Sequence, residues 1–259
     1  GAGISTLTAR ILMFAAFAVL FYRSLRYRRY LVGYKRGKYN FTDILSLNKM
    51  GWMVGLQMGL ETALFSITGI MIGWLGSIAL AAHQVVVAIS TLGFMIYYGV
   101  GAAVSVRVSN YFGRQDLLHV RRTTMAGFHL ILCLAVCACT VFLFSRELIG
   151  YLFTTSEEVI RVVSTLVYIL LAYQFGDALQ ITYANSLRGI GDVISMAVIS
   201  FIGYFLIAMP VCYICGFVLE WGITGIWIGY PIGLTLTGVM LCGRYYWKLK
   251  TKTQSKEFY

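Results

Sequence analysis

Apolar residues in this chain form long, continuous runs. The runs fall at about 4–22, 52–75, 79–106, 123–144, 158–184, 193–217 and 222–243. Each is long enough to cross a bilayer as a tilted helix, which takes roughly 20 residues. The strands of a membrane barrel would alternate apolar with polar residues, and these runs do not. The pattern therefore predicts an all-α, polytopic transmembrane bundle of about seven spans.

Composition supports a chain that lies almost entirely in the membrane. Of its 259 residues, 59% are hydrophobic and only 12% are charged, whereas soluble domains carry about 25% charged residues. A large extramembrane catalytic domain is therefore excluded. We also find no Ser/His set, Asp pair or metal-spaced His/Cys set on one helix face. We accordingly expect no enzymatic activity and no cofactor.

The formal net charge of +11 is typical of nucleic-acid binders, but the positions of the charges argue against that partner. Most cations flank apolar runs, in 23–49 and 244–256, where anionic lipid headgroups are the expected partner. When alternate connectors are grouped, one side of the membrane carries a net charge of +14 and the other −3. By the positive-inside rule the basic side is cytoplasmic. We therefore expect a multi-pass protein of the cell (inner) membrane with a cytoplasmic C-terminus.

Four ionisable residues fall inside the apolar runs, where an ionised side chain costs about 2.5–3.5 kcal/mol on insertion scales. Arg10 and Arg161 lie toward helix ends and can reach the interface. Glu61 and Asp177 lie roughly 14 Å and 11 Å from the cytoplasmic ends of their helices, at similar depth. Helical spacing places further polar side chains on the same two faces: Gln57, Thr68, Tyr173 and Gln180.

Two carboxylates at such a depth can bind a cation such as Na⁺, share protons, or pair with a buried base. No Lys lies at that depth. They can also be protonated groups that only hydrogen-bond neighbouring helices. We expect Glu61 and Asp177 to face one cavity and to serve a coupling ion or a substrate.

Glycines recur at a spacing of four residues, which lets helix backbones approach closely in a membrane. Two such series occur in different spans, Gly51, Gly55 and Gly59 in one and Gly225, Gly229 and Gly233 in the other. They predict close helix contacts at both places.

Four short motifs occur in order along the chain: GLQMGLE at 55–61, LAAHQ at 80–84, RVSNYFG at 107–113 and LRGIGD at 187–192. In these motifs the chain resembles the multidrug and toxic compound extrusion (MATE) family, in particular its NorM-like branch. The resemblance implies two six-helix lobes related by an internal repeat. This chain is similar to the last helix of the first lobe with a basic cytoplasmic loop (1–50), the second lobe (51–247) and a basic tail (248–259). The missing N-terminal lobe would then be a partner from the same polypeptide.

The same resemblance implies a site for the coupling ion, Na⁺ or H⁺, at Glu61, Tyr173 and Asp177. An aromatic residue of the 79–106 run would add a cation–π contact, and Phe94 and Tyr97 are both open for that role. Gln57, Thr68 and Gln180 complete the candidates for the substrate cavity.

These expectations together describe a secondary antiporter that exports organic, mostly cationic or amphipathic drugs in exchange for Na⁺ or H⁺. One alternative is a lipid-linked oligosaccharide flippase of the same superfamily, although a pyrophosphate cavity would require deep cations and the deep charges here are acidic. A second alternative, from another class, is a seven-helix receptor. The 259-residue piece alone is not expected to transport.

Overall fold

The computed structural model describes residues 2–24 and 40–257, and the chain divides into two units, 1–48 and 49–259. In the described residues the structure is helical, with eight helices: α1 (Ala2–Arg23), α2 (Phe41–Trp74), α3 (Ser77–Gly113), α4 (Leu117–Phe144), α5 (Arg146–Phe153), α6 (Glu157–Gly189), α7 (Val193–Val218) and α8 (Gly222–Glu257). Seven of them, all except α5, are long and apolar enough to cross a membrane. The predicted all-α bundle of seven spans is confirmed.

The helices extend beyond the apolar runs that predicted them. Helix α2 begins at Phe41, α3 continues to Gly113 and α8 continues to Glu257 through the basic segment expected as a tail. Of the predicted inter-lobe loop, 25–39 lies outside the described residues, and 41–50 is helical. Hydropathy marks where a helix leaves the hydrocarbon, whereas backbone hydrogen bonding continues as long as the residues tolerate it.

Within the second unit, α6 is the central helix and packs against α3, α4, α5 and α8. Many of its apolar residues are buried, and Leu166, Leu170 and Leu187 are completely so. A buried polar stripe runs along the same helix: Gln174, Asp177, Gln180, Thr182, Asn185 and Ser186. The backbone of α2 approaches the other helices less closely than they approach one another, and this spacing leaves room for a cavity beside the stripe.

The two glycine series behave differently. A Cβ atom built on Gly225, Gly229 or Gly233 of α8 would lie 2.2–2.3 Å from an atom of α7. That is closer than any real Cβ contact, so the predicted close helix contact is confirmed there. By contrast, nothing described lies within 4 Å of a Cβ built on the glycines of α2 at 51, 55 and 59. The prediction was wrong for α2 within the described part of the chain.

Helix α7 is irregular around Pro210. A short α-helical segment, Met209–Tyr213, carries the proline and is flanked by two wider π-helical segments, Ile202–Ala208 and Ile214–Val218. Proline lacks an N–H group and its ring displaces the preceding carbonyl, which explains a local change of helical repeat. The first π segment carries Tyr204, whose side chain turns into the bundle.

Candidate cation site

Glu61 lies on α2 one turn after Gln57, and the two side chains are bonded. Gln57 Nε2 donates to Glu61 Oε2 over 3.1 Å, the contact expected for an i, i+4 pair. Gln180 of α6 and Tyr204 of α7 also lie within interaction distance of the carboxyl group. Gln180 Nε2 donates to Tyr204 Oη over 2.6 Å. Three helices therefore converge on the Glu61 carboxyl group.

Asp177, on α6, is more buried than Glu61, and its side chain is completely buried. Neither carboxylate oxygen has a hydrogen-bond partner within the described part of the chain. The Asp177 carboxyl group interacts electrostatically with Glu61, so the two acids belong to one cluster. Burying an ionised carboxylate without a partner is very unfavourable. Asp177 therefore requires a bound cation, a proton or water.

Two other buried polar side chains near Asp177 also lack partners among the described residues, namely Tyr97 of α3 and Gln174 of α6. A Cβ atom built on Gly93 would lie 3.0 Å from Gln174 Nε2 and 3.5 Å from Tyr97 Oη, so these groups lie side by side against α3. Buried polar atoms are almost always satisfied by protein, water or an ion. Asp177, Tyr97 and Gln174 thus form one buried cluster of polar side chains, which we call the polar chamber.

A cavity of about 260 Å³ adjoins this chamber. Glu61, Tyr173 and Phe94 line it, and Asp177 does not. The expectation that both acids face one cavity was therefore wrong for Asp177, which is buried behind the cavity wall on α6. Apart from Glu61, its walls are mainly apolar, aromatic and hydroxyl side chains: Met58, Thr62, Phe65, Val87, Ser90, Thr91, Phe94, Met95 and Tyr173. The cavity combines a single acidic group with aromatic and thioether surfaces, which suits an amphipathic cation.

Arg188 is a residue of this site that the sequence analysis missed. Its Nη2 donates to Gln57 Oε1 and its Nη1 to Asn185 Oδ1, both over 3.3 Å. The Gln57 amide therefore joins Arg188 to Glu61. A smaller cavity of about 20 Å³ is lined by all three residues together with Gln180.

Because the apolar run ends near 184, the sequence analysis placed Arg188 in a connector. In the structure α6 continues to Gly189 and includes Arg188. A signal was nevertheless present, because residues 11 apart in a helix lie on nearly the same face, and Arg188 follows Asp177 by that spacing.

Of the five candidates for the substrate cavity, four do not line the 260 Å³ cavity. Gln57 and Gln180 line only the smaller cavity, and Thr68 and Tyr97 line neither. The Thr68 hydroxyl is buried and bonded to Tyr230 Oη and to the Leu64 carbonyl, and Tyr97 lies in the polar chamber. Phe94 lines both cavities and stacks on Tyr98, with ring centroids 5.7 Å apart. Of the two aromatic residues left open above, Phe94 is the one that faces the cavity.

Asp192 lies outside the spans, in the connector between α6 and α7, and its ion pair with Arg244 joins this connector to α8. It accepts from Arg244 Nε of α8 and from Ser195 Oγ, both over 2.8 Å. Burial by itself raises the pKa of Asp192. The hydrogen bonds from Arg244 and Ser195 and the charges of Arg244 and Lys248 outweigh that effect and hold the pKa below its usual value.

A comparison with protein-family models matches residues 54–214 to the MatE family. The chain belongs to the MatE family. The match covers the four motifs from 55–61 to 187–192, so the resemblance inferred from them is confirmed. It also covers α3, α4 and α6 in full and the Glu61, Tyr173 and Asp177 side chains.

Two relatives of this MatE chain are both called multidrug resistance protein NorM. The protein of Photobacterium profundum is 33% identical over 266 residues, which cover 100% of this chain and 57% of the relative. That of Vibrio parahaemolyticus is 34% identical over 251 residues, 95% of this chain and 55% of the relative. The chain thus spans about half the length of the curated relatives it matches.

Solved structures agree on the fold. The eukaryotic MATE transporter AtDTX14 superimposes with a TM-score of 0.80 at 19% identity, over 93% of this chain and 56% of that one. A MATE protein in complex with MaL6 gives a TM-score of 0.84 at 14% identity, over 98% and 57% respectively. The fold is that of one half of a MATE transporter.

Proposed function

We propose that this chain forms the second lobe of a secondary antiporter that exports organic cations and amphipathic drugs in exchange for Na⁺ or H⁺. The observation that carries the proposal is the cluster of two acids, Glu61 and Asp177, beside a cavity lined by aromatic and thioether side chains. The relatives are called multidrug resistance protein NorM, and this name supports export, because a cell resists drugs by removing them.

The coupling ion binds at Glu61, Tyr173 and Asp177. Carboxylate and phenol oxygens are ligands for a hard monovalent cation, and the same carboxylates accept protons. The unbonded oxygens of Asp177 support this assignment, because an ion or proton there removes the cost of burying the charge.

The organic cation occupies the 260 Å³ cavity, with its charge toward Glu61 and its apolar surface against Phe94, Phe65 and Met58. Aromatic faces attract cations, and the flexible Met side chain adapts to ligands of different shape. A cavity of this kind selects for charge and bulk more than for a particular functional group.

Transport then depends on competition between the two ligands. When an incoming ion neutralises the Glu61 and Asp177 carboxylates, the cavity loses the charge that held the organic cation, which is released outward. Loss of the ion on the inner side restores the anionic cavity. Linkage requires only that each ligand lowers the affinity for the other.

The arrangement in the membrane follows from the connectors. With the basic side inward, the chain is a multi-pass protein of the inner membrane, its C-terminus in the cytoplasm. It pairs with an N-terminal lobe of the same polypeptide and acts as a transporter rather than an enzyme.

The proposal is tested by ethidium efflux from cells that make a full-length transporter containing this chain. Glu61→Gln should abolish efflux while the protein stays in the membrane. Glutamine is always neutral, so it cannot alternate between a charged state that attracts the organic cation and a neutralised state that releases it. Glu158→Gln, at an acid in the first turn of α6, is the matched control and should export normally. Export by the Glu61→Gln protein at the unsubstituted rate would show that the role assigned to Glu61 is wrong.

A further inference from the structure

A second large cavity, away from the cation site, is a groove of about 390 Å³ between α3 and α4. Two arginines, Arg107 and Arg122, stand at one end of it, and the remaining lining is mostly apolar: Val100, Ala103, Val104, Thr123, Ala126, Gly127 and Leu130. We call this cavity the α3–α4 groove.

The α3–α4 groove results from the packing of two consecutive helices. A Cβ atom built on Gly127 would lie 2.3 Å from Val104 Cγ2, so α3 and α4 touch along the floor of the groove. Above this contact the side chains of Ala103 and Ala126 are small. The groove is therefore open to the outside of the bundle, where a membrane-spanning helix pair meets lipid.

The two arginines lie at the same level. Helix α3 ends at Gly113 and α4 begins at Leu117, so Arg107 and Arg122 are each roughly 8–9 Å along the helix axis from the connecting turn. Arg107 directly follows the apolar run 79–106 and Arg122 directly precedes the run 123–144, which puts both near the boundary between headgroups and hydrocarbon. The groove extends from the arginines to Val100 and Leu130, about 10–12 Å deeper.

Among the described residues, neither arginine is paired with an acid in a salt bridge. Both Arg107 and Arg122 are exposed. The acid nearest along the chain, Asp116, pairs with His119 Nδ1 over 2.7 Å and acts on Arg122 only through its charge. Two guanidinium groups at the entrance of an apolar groove form a site for an anion that carries an apolar tail.

We propose that the α3–α4 groove binds one anionic phospholipid. The phosphate diester lies between Arg107 and Arg122, and an acyl chain follows Val104 toward Leu130. Guanidinium groups bind phosphate oxygens through two parallel hydrogen bonds, which a zwitterionic headgroup with its own cation satisfies less well. The proposal requires only that α3 and α4 span the membrane, and it is independent of what the protein transports.

The test uses the full chain in detergent and native mass spectrometry, with phosphatidylglycerol and phosphatidylcholine of identical acyl chains as probes. The unsubstituted chain should retain phosphatidylglycerol at least about fivefold better than phosphatidylcholine. The double variant Arg107→Gln/Arg122→Gln should lose that preference. Arg114→Gln/Arg121→Gln removes the same charge at the same turn but leaves the groove intact, and it should retain the lipid. Equal loss in both double variants would overturn the site, because it would show general electrostatic attraction.

A second pair of variants changes the shape of the groove without changing its charge. Ala126→Trp fills the groove and should reduce phosphatidylglycerol retention at least about fivefold, whereas Ala102→Trp, at an exposed neighbour outside the lining, should not. This pair decides the question if the arginine variant does not fold, as judged by circular dichroism. Unchanged retention in Ala126→Trp would overturn the proposal. Binding of free glycerol 1-phosphate as tight as that of phosphatidylglycerol would also overturn it, because the acyl chain would then contribute nothing to the binding.

Discussion

The Gln57 amide is shared by two opposite charges, since its oxygen accepts from Arg188 and its nitrogen donates to Glu61. Arg188 therefore acts as a fixed counter-charge that reduces the attraction of Glu61 for other cations. A fixed charge of this kind prevents a mobile cation from binding so tightly that it is not released. It also keeps the amide in the orientation that serves the carboxylate.

Arg188→Gln should tighten the binding of tetraphenylphosphonium to the full chain in nanodiscs, on the order of threefold to tenfold, because one repulsive charge near the site is lost. Arg188→Lys keeps the charge and should bind like the unsubstituted protein. The effect should vanish in a Glu61→Gln background. Weaker binding in Arg188→Gln, or tightening that persists without Glu61, would contradict the pairing. Equilibrium dialysis with the labelled cation measures each dissociation constant.

The ion pair of Asp192 with Arg244 should make stability depend on pH. Because the pKa of Asp192 is lower in the folded than in the unfolded protein, its stabilisation is complete above the unfolded value of about 4. It is lost as the pH falls through the folded value. Asp192→Asn should cost about 1–2 kcal/mol at pH 7, and its difference from the unsubstituted protein should shrink below about pH 4. Thermal unfolding in detergent measures this, with Asp43→Asn as the control, and a difference that does not change with pH would contradict it.

At this scale the sequence located the two acids and two of the neighbours of Glu61, Gln57 and Gln180, and it missed other neighbours. Glu61 and Asp177 could be found because an ionised group inside an apolar run is costly whatever the fold. Tyr204 and Gln174 could not, because buried Tyr and Gln occur in many helices without a function. Only the three-dimensional arrangement brings Gln174 beside Tyr97 and Tyr204 onto Gln180.

Among the helices, glycine spacing alone did not predict which helices approach closely. Gly-x-x-x-Gly permits a close contact but does not supply the neighbour. In α8 the neighbour is α7, while the glycines of α2 face open space within the described residues. The length of the helices was also underestimated, because a helix continues past the point where its residues cease to be apolar.

A matched pair of variants tests this difference. Gly229→Ala places a methyl group 2.3 Å from Cys212 Sγ and 3.0 Å from its backbone nitrogen, and we expect a loss of about 1–3 kcal/mol from overpacking. Gly55→Ala meets nothing described within 4 Å and should be neutral or stabilise the helix by up to about 1 kcal/mol. Thermal unfolding of the full chain in detergent compares them. Equal effects of the two substitutions would contradict the contact between α7 and α8.

For the whole molecule, the sequence predicted the class and number of spans because the bilayer imposes both the apolar content and the length of each span. It could not define the cavity, whose shape depends on how far α2 stays from α3 and α6.

The chain spans about half the length of its NorM relatives, and one lobe supplies only one side of a path across the membrane. The chain alone in proteoliposomes should therefore move no ethidium when a Na⁺ or pH gradient is applied, and gradient-dependent uptake would contradict the two-lobe account.

Competition between the coupling ion and the organic cation is the central claim, and equilibrium binding tests it most directly. Tetraphenylphosphonium binding to the full chain in nanodiscs should weaken as NaCl replaces KCl at constant ionic strength, or as the pH is lowered, whichever ion couples. In Asp177→Asn the same titration should leave the dissociation constant nearly unchanged. A dissociation constant that neither Na⁺ nor protons alter in the unsubstituted chain would contradict the account, and so would undiminished competition in Asp177→Asn.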